Sequence, residues 1–228
     1  MEDKCLGLVG GLGVGAAVHY YQQLATAYEG RENALRLLMA HADMRRVVRC
    51  VEAGDRNALA GYLSSLIEQM RAGGAEIAAV PAVTPHICVR ELKAISPLPL
   101  VDILDVVARE VRAAGYRRVA LFGTRFTIQN SLFGALEGVD VVMPQPKEID
   151  AIHAAYFQMA SSGAATSEQY ETFTAIAHTL CSRDKVDAIL LAGTDLALIF
   201  NEYTITFPYL DCAAAHIRAI LAELTRSR

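Results

Sequence analysis

The chain has 228 residues, 53% of them apolar and 20% charged, with a mean hydropathy of +0.27. That excludes intrinsic disorder, which needs low hydrophobicity and high net charge, and leaves room for one large domain or two small ones. Lys and Arg number 21 against 25 Asp and Glu, a formal charge of −4 with no basic run, so nucleic acid is excluded as a partner.

In chain order, short aliphatic runs alternate with amphipathic stretches, a rhythm that predicts an α/β fold with parallel sheets. Cys5-Leu6-Gly7-Leu8-Val9 reads as the first strand and 14–28 as the helix behind it. Further strands are predicted at 35–40, 76–81, 100–103, 118–122, 139–143, 188–191 and 207–210. Helices are predicted at 57–72, 85–93, 106–114, 147–161, 167–182 and 213–225. The helix at 57–72 closes on Gly73-Gly74, a residue type that takes the left-handed cap without a Cβ penalty.

Ala188 to Phe200 is the most apolar stretch, yet it carries Asp195 and is shorter than the about 18 residues a membrane span needs, so no membrane role is expected. The acidic start Met1-Glu2-Asp3, with no apolar core and cleavage site behind it, points to a cytoplasmic protein. The five cysteines (Cys5, Cys50, Cys88, Cys181, Cys212) form no CxxC pair and are odd in number. They read as reduced thiols, neither a zinc cage nor a disulfide framework.

Two parts of the chain echo each other. Gly10, at the end of the first strand, and Gly123, after the strand at 118–122, lie 113 positions apart; Ala82 and Gly193, each after a strand that follows a long helix, lie 111 apart. Near-equal offsets suggest one α/β unit used twice. Strand ends carrying small residues and threonines would then converge where open parallel sheets bind ligands.

Gly10-Gly11-Leu12-Gly13-Val14-Gly15-Ala16 matches G-x-G-x-x-A of a dinucleotide-binding turn, but the acidic residue such a site wants about 20 positions on is displaced to Asp43. A tight strand-to-helix turn and a small-carboxylate site are the other readings of these glycines.

Five segments in this order carry a resemblance over nearly the whole chain: Gly10-Gly11-Leu12-Gly13, Ala82-Val83-Thr84-Pro85-His86, Gly123-Thr124-Arg125-Phe126-Thr127, Gly193-Thr194-Asp195, and Leu210-Asp211-Cys212-Ala213-Ala214-Ala215-His216. Together they resemble the aspartate/glutamate racemase superfamily. The resemblance implies two pseudo-symmetric, doubly wound parallel-sheet subdomains, residues 1–103 with 210–228 and residues 104–209, with the ligand between them. It also implies a small carboxylate as partner, no pyridoxal phosphate, no metal, no other cofactor, and a homodimer.

In that superfamily the segments matching Ala82-Val83-Thr84 and Gly193-Thr194-Asp195 read Cys-Asn-Thr and Cys-Thr-Glu, with one thiol on each side of the substrate α-carbon. Here Ala82 and Gly193 have no proton to exchange, and Val83 cannot hold a carboxylate or amine as asparagine does. General acid–base groups are worth roughly 10²–10⁴-fold each, so two-thiol racemisation is not expected.

Asp195 is the first candidate for a substitute acid or base, the alternative being a cap on the helix beginning at Leu196. His41 and His86 are further catalytic candidates, against a solvated loop histidine and a packing histidine. Substrate-binding candidates are Gly11, Leu12, Asp43, Ala82, Val83, Thr84, Thr124, Thr127, Gly193 and Thr194. His216 reads as a satisfied core residue, and His19, His153 and His178 carry no assigned role. Tyr20, Tyr21, Tyr156 and Phe157 read as core-facing stripes. The function these features imply is non-thiol carbon-acid chemistry on a small carboxylate, of isomerase, lyase or decarboxylase type. A catalytically inactive pseudoenzyme that binds a small ligand is the alternative, and a dinucleotide enzyme the weaker one.

Overall fold

The computed structural model describes residues 2–226. Along the chain, β1 (Leu6–Gly10) leads into α1 (Val14–Tyr28), and β2 (Leu37–His41) into α2 (Met44–Glu52) and α3 (Arg56–Ala72). Then β3 (Ile77–Ala79) passes through a 3-10 turn (Thr84–Cys88) into α4 (Val89–Ile95), followed by β4 (Leu100–Val101) and α5 (Ile103–Ala113). The second series is β5 (Arg118–Phe122), α6 (Arg125–Gln129), a tight turn (Ser131–Gly134), β6 (Asp140–Val142), α7 (Pro146–Ser162) and α8 (Ser167–Arg183). It ends with β7 (Ala188–Leu191), a 3-10 turn (Thr194–Leu198), β8 (Tyr209–Asp211) and α9 (Cys212–Leu224).

The strands form two four-stranded sheets, parallel at every pairing, with orders β2-β1-β3-β4 and β6-β5-β7-β8. The second order repeats the first, so the echo in the sequence corresponds to β1 with β5 and β3 with β7. The chain divides into two compact units, one running up to Ile103 and resuming at His216, the other Leu104–Ala215. Because β8 pairs with β7, the sheet of the second unit extends to Asp211, and the boundary falls within α9.

Both faces of the central strands are covered. β1 and β7 are buried along their whole length, which is why they read as unbroken aliphatic runs. The first unit's core is mostly aliphatic, with Leu6, Leu8, Leu24, Leu59, Leu63 and Ile67 fully buried along with Tyr20. An aromatic cluster fills the second: Phe122 lies 5.4 Å from Phe173, and Phe200 lies 5.4 Å from Phe207, centroid to centroid. Such tilted or edge-on pairs add roughly 0.5–1.5 kcal/mol each beyond area burial.

Several local expectations need correction. A helix at Met44–Glu52 was not expected: three β-branched Val in nine residues lower its intrinsic propensity, and the Asp43 cap holds its start. The predicted helix at 85–93 divides into a 3-10 turn and α4, the break falling at Cys88, whose φ −101° and ψ 17° are not helical. At the end of α3, Gly73 is right-handed and the left-handed residue is Gly74, at φ +103°. Tyr21 and Phe157 are not core residues but are 52% and 60% exposed.

Among the described residues no helix is long and apolar enough to cross a membrane.

Candidate functional site

An open parallel sheet binds ligands beyond the carboxyl ends of its strands, at the point where the strand order reverses. In the first unit that point lies beside β1 and β3, and in the second beside β5 and β7. The turns leaving those four strands are the motif segments: Gly11-Leu12-Gly13, Ala82-Val83-Thr84, Gly123-Thr124 and Gly193-Thr194-Asp195.

In the first unit, Gly11 sits at φ +82°, and a Cβ there would lie 2.5 Å from the Ala42 carbonyl oxygen and 3.0 Å from His41 Cε1. The turn after β2 therefore packs onto Gly11, and the glycine serves this close approach of backbone to backbone. Leu12 is buried beside it. His41 ends β2 on the exposed side. Asp43 caps α2, its Oδ1 accepting from the Arg45 N–H at 2.9 Å, while its own N–H donates to the Tyr62 hydroxyl at 2.6 Å.

Ala82 and Val83 are buried and apolar, and Thr84 is half-buried at the head of the 3-10 turn. His86 is buried with its Nδ1 2.7 Å from the Ala82 carbonyl oxygen, which requires that nitrogen to be the donor. Its Nε2 lies 3.8 Å from Asp102 Oδ1, and Asp102 Oδ2 pairs with Lys93 at 2.6 Å. Burial pushes the His86 pKa down, against the opposing charge of Asp102. The ring thus holds the backbone at position 82 in place.

In the second unit the two turns touch directly: a Cβ on Gly123 would meet the Ala192 carbonyl oxygen at 3.0 Å. Thr124 caps α6, accepting from the Thr127 N–H at 3.1 Å, and the two hydroxyls are 3.0 Å apart with Thr127 fully buried. Gly193 is extended, at φ −120°, so conformation alone would admit any residue. Space does not, because a Cβ at 193 would overlap the Tyr156 ring, with Cζ at 2.7 Å and Cδ2 at 2.9 Å.

Tyr156, from α7, thus fills the volume that a side chain at 193 would need. Its hydroxyl donates to Asp195 Oδ2 at 3.1 Å and is hydrogen-bonded by the Asp195 N–H and the Thr194 side chain. Burial, with the Asp195 charge beside it, holds this phenol well above the usual tyrosine range. Asp195 is 1% exposed and lies inside the 3-10 turn Thr194–Leu198, whose N-cap position is Gly193.

The structure brings Thr124, Thr127, Gly193, Thr194 and Asp195 to one strand edge of the second unit, and Gly11, Leu12, His41, Ala82, Val83 and Thr84 to the corresponding edge of the first. Sequence reasoning missed Tyr156 as a site residue. One turn earlier on α7, His153 accepts from the Arg125 N–H through Nδ1 at 3.3 Å, so it too reaches the edge beyond β5. Burial and the neighbouring Arg125 push its pKa down. Only the i, i+3 spacing of these two residues on an otherwise ordinary helix could have signalled them.

The cysteines stand apart from this chemistry. Cys88 is buried, its thiol donating to the Pro85 carbonyl at 3.2 Å and pushed up to about 12 by burial, and burial likewise holds the Cys212 thiol well above its ordinary range. Among the described residues no three His, Cys, Asp or Glu side chains cluster as metal ligands.

Solved structures share this arrangement. An aspartate racemase homologue from Pyrococcus horikoshii OT3 is 21% identical with a TM-score of 0.81, covering 98% of this chain and 100% of that one. The Picrophilus torridus aspartate racemase is 20% identical, TM-score 0.76, covering 99% and 96%. Arylmalonate decarboxylase is 12% identical, TM-score 0.56, covering 98% and 94%. These likenesses establish the fold. The sequence model of the Asp/Glu/hydantoin racemase family matches residues 9–220, nearly the whole chain. With duplicated four-stranded sheets and motif turns at both strand-order reversals, this chain belongs to the Asp/Glu/hydantoin racemase family.

Proposed function

We propose that this protein binds a small carboxylate at its strand C-terminal edges and acts at the α-carbon with a single acid–base group, Asp195, rather than with a pair of thiols. One observation carries the reading. At the turn after β7, Gly193 offers no side chain, and the carboxylate two residues on is held under the Tyr156 hydroxyl. At the turn after β3, the apolar Ala82 and Val83 offer no proton either. Decarboxylation, elimination or one-base isomerisation each need one such group in a water-poor setting, where electrostatic effects are strong. Arylmalonate decarboxylase, which shares the fold, carries in its name a reaction other than racemisation.

A second reading is favoured by one specific feature. Asp195 is 1% exposed and its Oδ2 is covered by a tyrosine, an arrangement suited to a binding protein without turnover. A cytoplasmic homodimer belongs to both readings.

Incubation with L- and D-aspartate, L- and D-glutamate and phenylmalonate in deuterium oxide tests them. Deuterium at the α-carbon, or release of carbon dioxide, abolished in Asp195→Asn supports the first reading. Ligand binding without exchange supports the second. Rapid inversion of an amino acid that survives Asp195→Asn overturns the first.

A further inference from the structure

The glycine at 193 and the tyrosine at 156 are explained only by each other. Gly193 has an unstrained extended backbone, so no conformational demand selects glycine there. The space above it is taken by a ring from α7, and the hydroxyl of that ring lies on the carboxylate two residues further along.

Resting on the one-base reading above, we propose that Tyr156 is a catalytic residue: its hydroxyl is the hydrogen-bond donor that stabilises the enolate formed when Asp195 takes the ligand's α-proton.

The step balances within the residues named. The Cα–H bond breaks and an O–H bond forms on the Asp195 carboxylate. The electron pair moves into the ligand's carboxyl group as an enolate. Tyr156 transfers no proton; its O–H turns from the neutralised Asp195 to the enolate oxygen. Reversal of the step returns the proton to carbon, and no oxidant or reductant enters.

A donor of this kind must stay protonated at neutral pH, and the buried phenol does. It must also be preorganised. The ring is seated over Gly193 and its hydroxyl on Asp195 before any ligand arrives. With the ring already seated, only the O–H has to rotate to meet the developing charge, and a donor in a water-poor site stabilises such charge strongly. Since the ring closes the volume over Gly193, it also limits how large a substituent the ligand can carry at that end.

Tyr156→Phe isolates the hydroxyl, for it keeps the ring and its packing over Gly193. The expected result, in the deuterium-exchange assay with the five ligands above, is a 10²–10³-fold lower kcat with KM changed less than threefold, as when one transition-state donor is removed. The pH profile of the residual activity should keep its shape, since the phenol does not titrate in the working range. Exchange by the wild-type protein that Tyr156→Phe leaves intact overturns this assignment alone and spares the role of Asp195. A change confined to KM also overturns it, because the hydroxyl would then hold the ground state equally. Absence of both exchange and carbon dioxide release by the wild-type protein with all five ligands overturns the one-base reading, and this assignment with it; carbon dioxide release without exchange overturns this assignment alone. Should Tyr156→Phe lower the melting temperature, Tyr156→Met provides a second variant without a hydroxyl, and both must show the same loss in kcat.

Discussion

The Tyr20 hydroxyl lies 3.0 Å from His216 Nδ1, with the two rings edge-on at 5.6 Å between centroids. Nε2 of the same histidine is 2.8 Å from the Val101 carbonyl, so Nε2 carries the hydrogen and Nδ1 accepts from the tyrosine. Both nitrogens of a fully buried neutral imidazole are thereby satisfied, and burial pushes its pKa to about 4.

A pH dependence of stability follows from that arrangement. The folded pKa is depressed below the unfolded value of about 6.5, so the unfolded chain takes the proton first. The contribution is fully present above about pH 6.5 and is lost as pH falls toward 4, at about 1.4 kcal/mol per pH unit. Besides the Tyr20 hydroxyl, the charges of His86 and Asp102 act on this ring, His86 lowering its pKa and Asp102 raising it. Urea midpoints between pH 7 and 4 should fall more steeply for the wild-type chain than for His216→Gln. Equal slopes would show that His216 is not the titrating group.

Gly193 and Tyr156 should be energetically coupled. Gly193→Ala forces the ring aside, and overpacking of this kind costs about 1–3 kcal/mol. In a Tyr156→Ala background the same substitution meets open space and should be close to neutral, giving a coupling above about 1 kcal/mol by denaturant unfolding of the four proteins. Additive effects would place the ring elsewhere in solution.

Asp43 has two separable tasks, capping α2 and, as a ligand candidate, presenting charge at the strand edge. Asparagine caps as well as aspartate, whereas alanine loses about 1 kcal/mol. Asp43→Asn should therefore keep the melting temperature of the wild-type chain while Asp43→Ala lowers it by several degrees. A ligand role for the carboxylate itself would appear as weaker carboxylate binding in the asparagine variant, measured by calorimetry.

Gly11→Ala combines two penalties, a side chain in a left-handed backbone, about 1–2 kcal/mol, and contact with the Ala42 carbonyl oxygen at 2.5 Å. It should destabilise the first unit by more than 2 kcal/mol, seen in the unfolding midpoint. Wild-type stability would mean that the turns after β1 and β2 can separate at low cost.

Much of the fold was legible in the residues themselves. The central strands β1 and β7 follow from unbroken aliphatic runs, because a strand covered on both faces has no polar residue to interrupt it. The motif turns were legible too, since small residues and threonines at strand ends stand out from the helices around them. Ser131, Leu132 and Phe133, however, are left-handed at φ +46°, +54° and +57°. No residue preference foretells that conformation; the burial of Leu132 and the Phe126–Phe133 ring contact at 5.8 Å offset its cost.

The amino-acid order alone determined the alternating α/β layout, its duplication and the absence of a thiol at positions 82 and 193, since those depend on residue type and spacing along the chain. Tertiary structure decided what stands in the vacated space. Tyr156 lies 37 positions before Gly193 and looks like one more apolar residue of an amphipathic helix. Only the packing of α7 across the strand ends sets its ring over that glycine and its hydroxyl on Asp195, and packing across such separations leaves no periodic trace in the sequence.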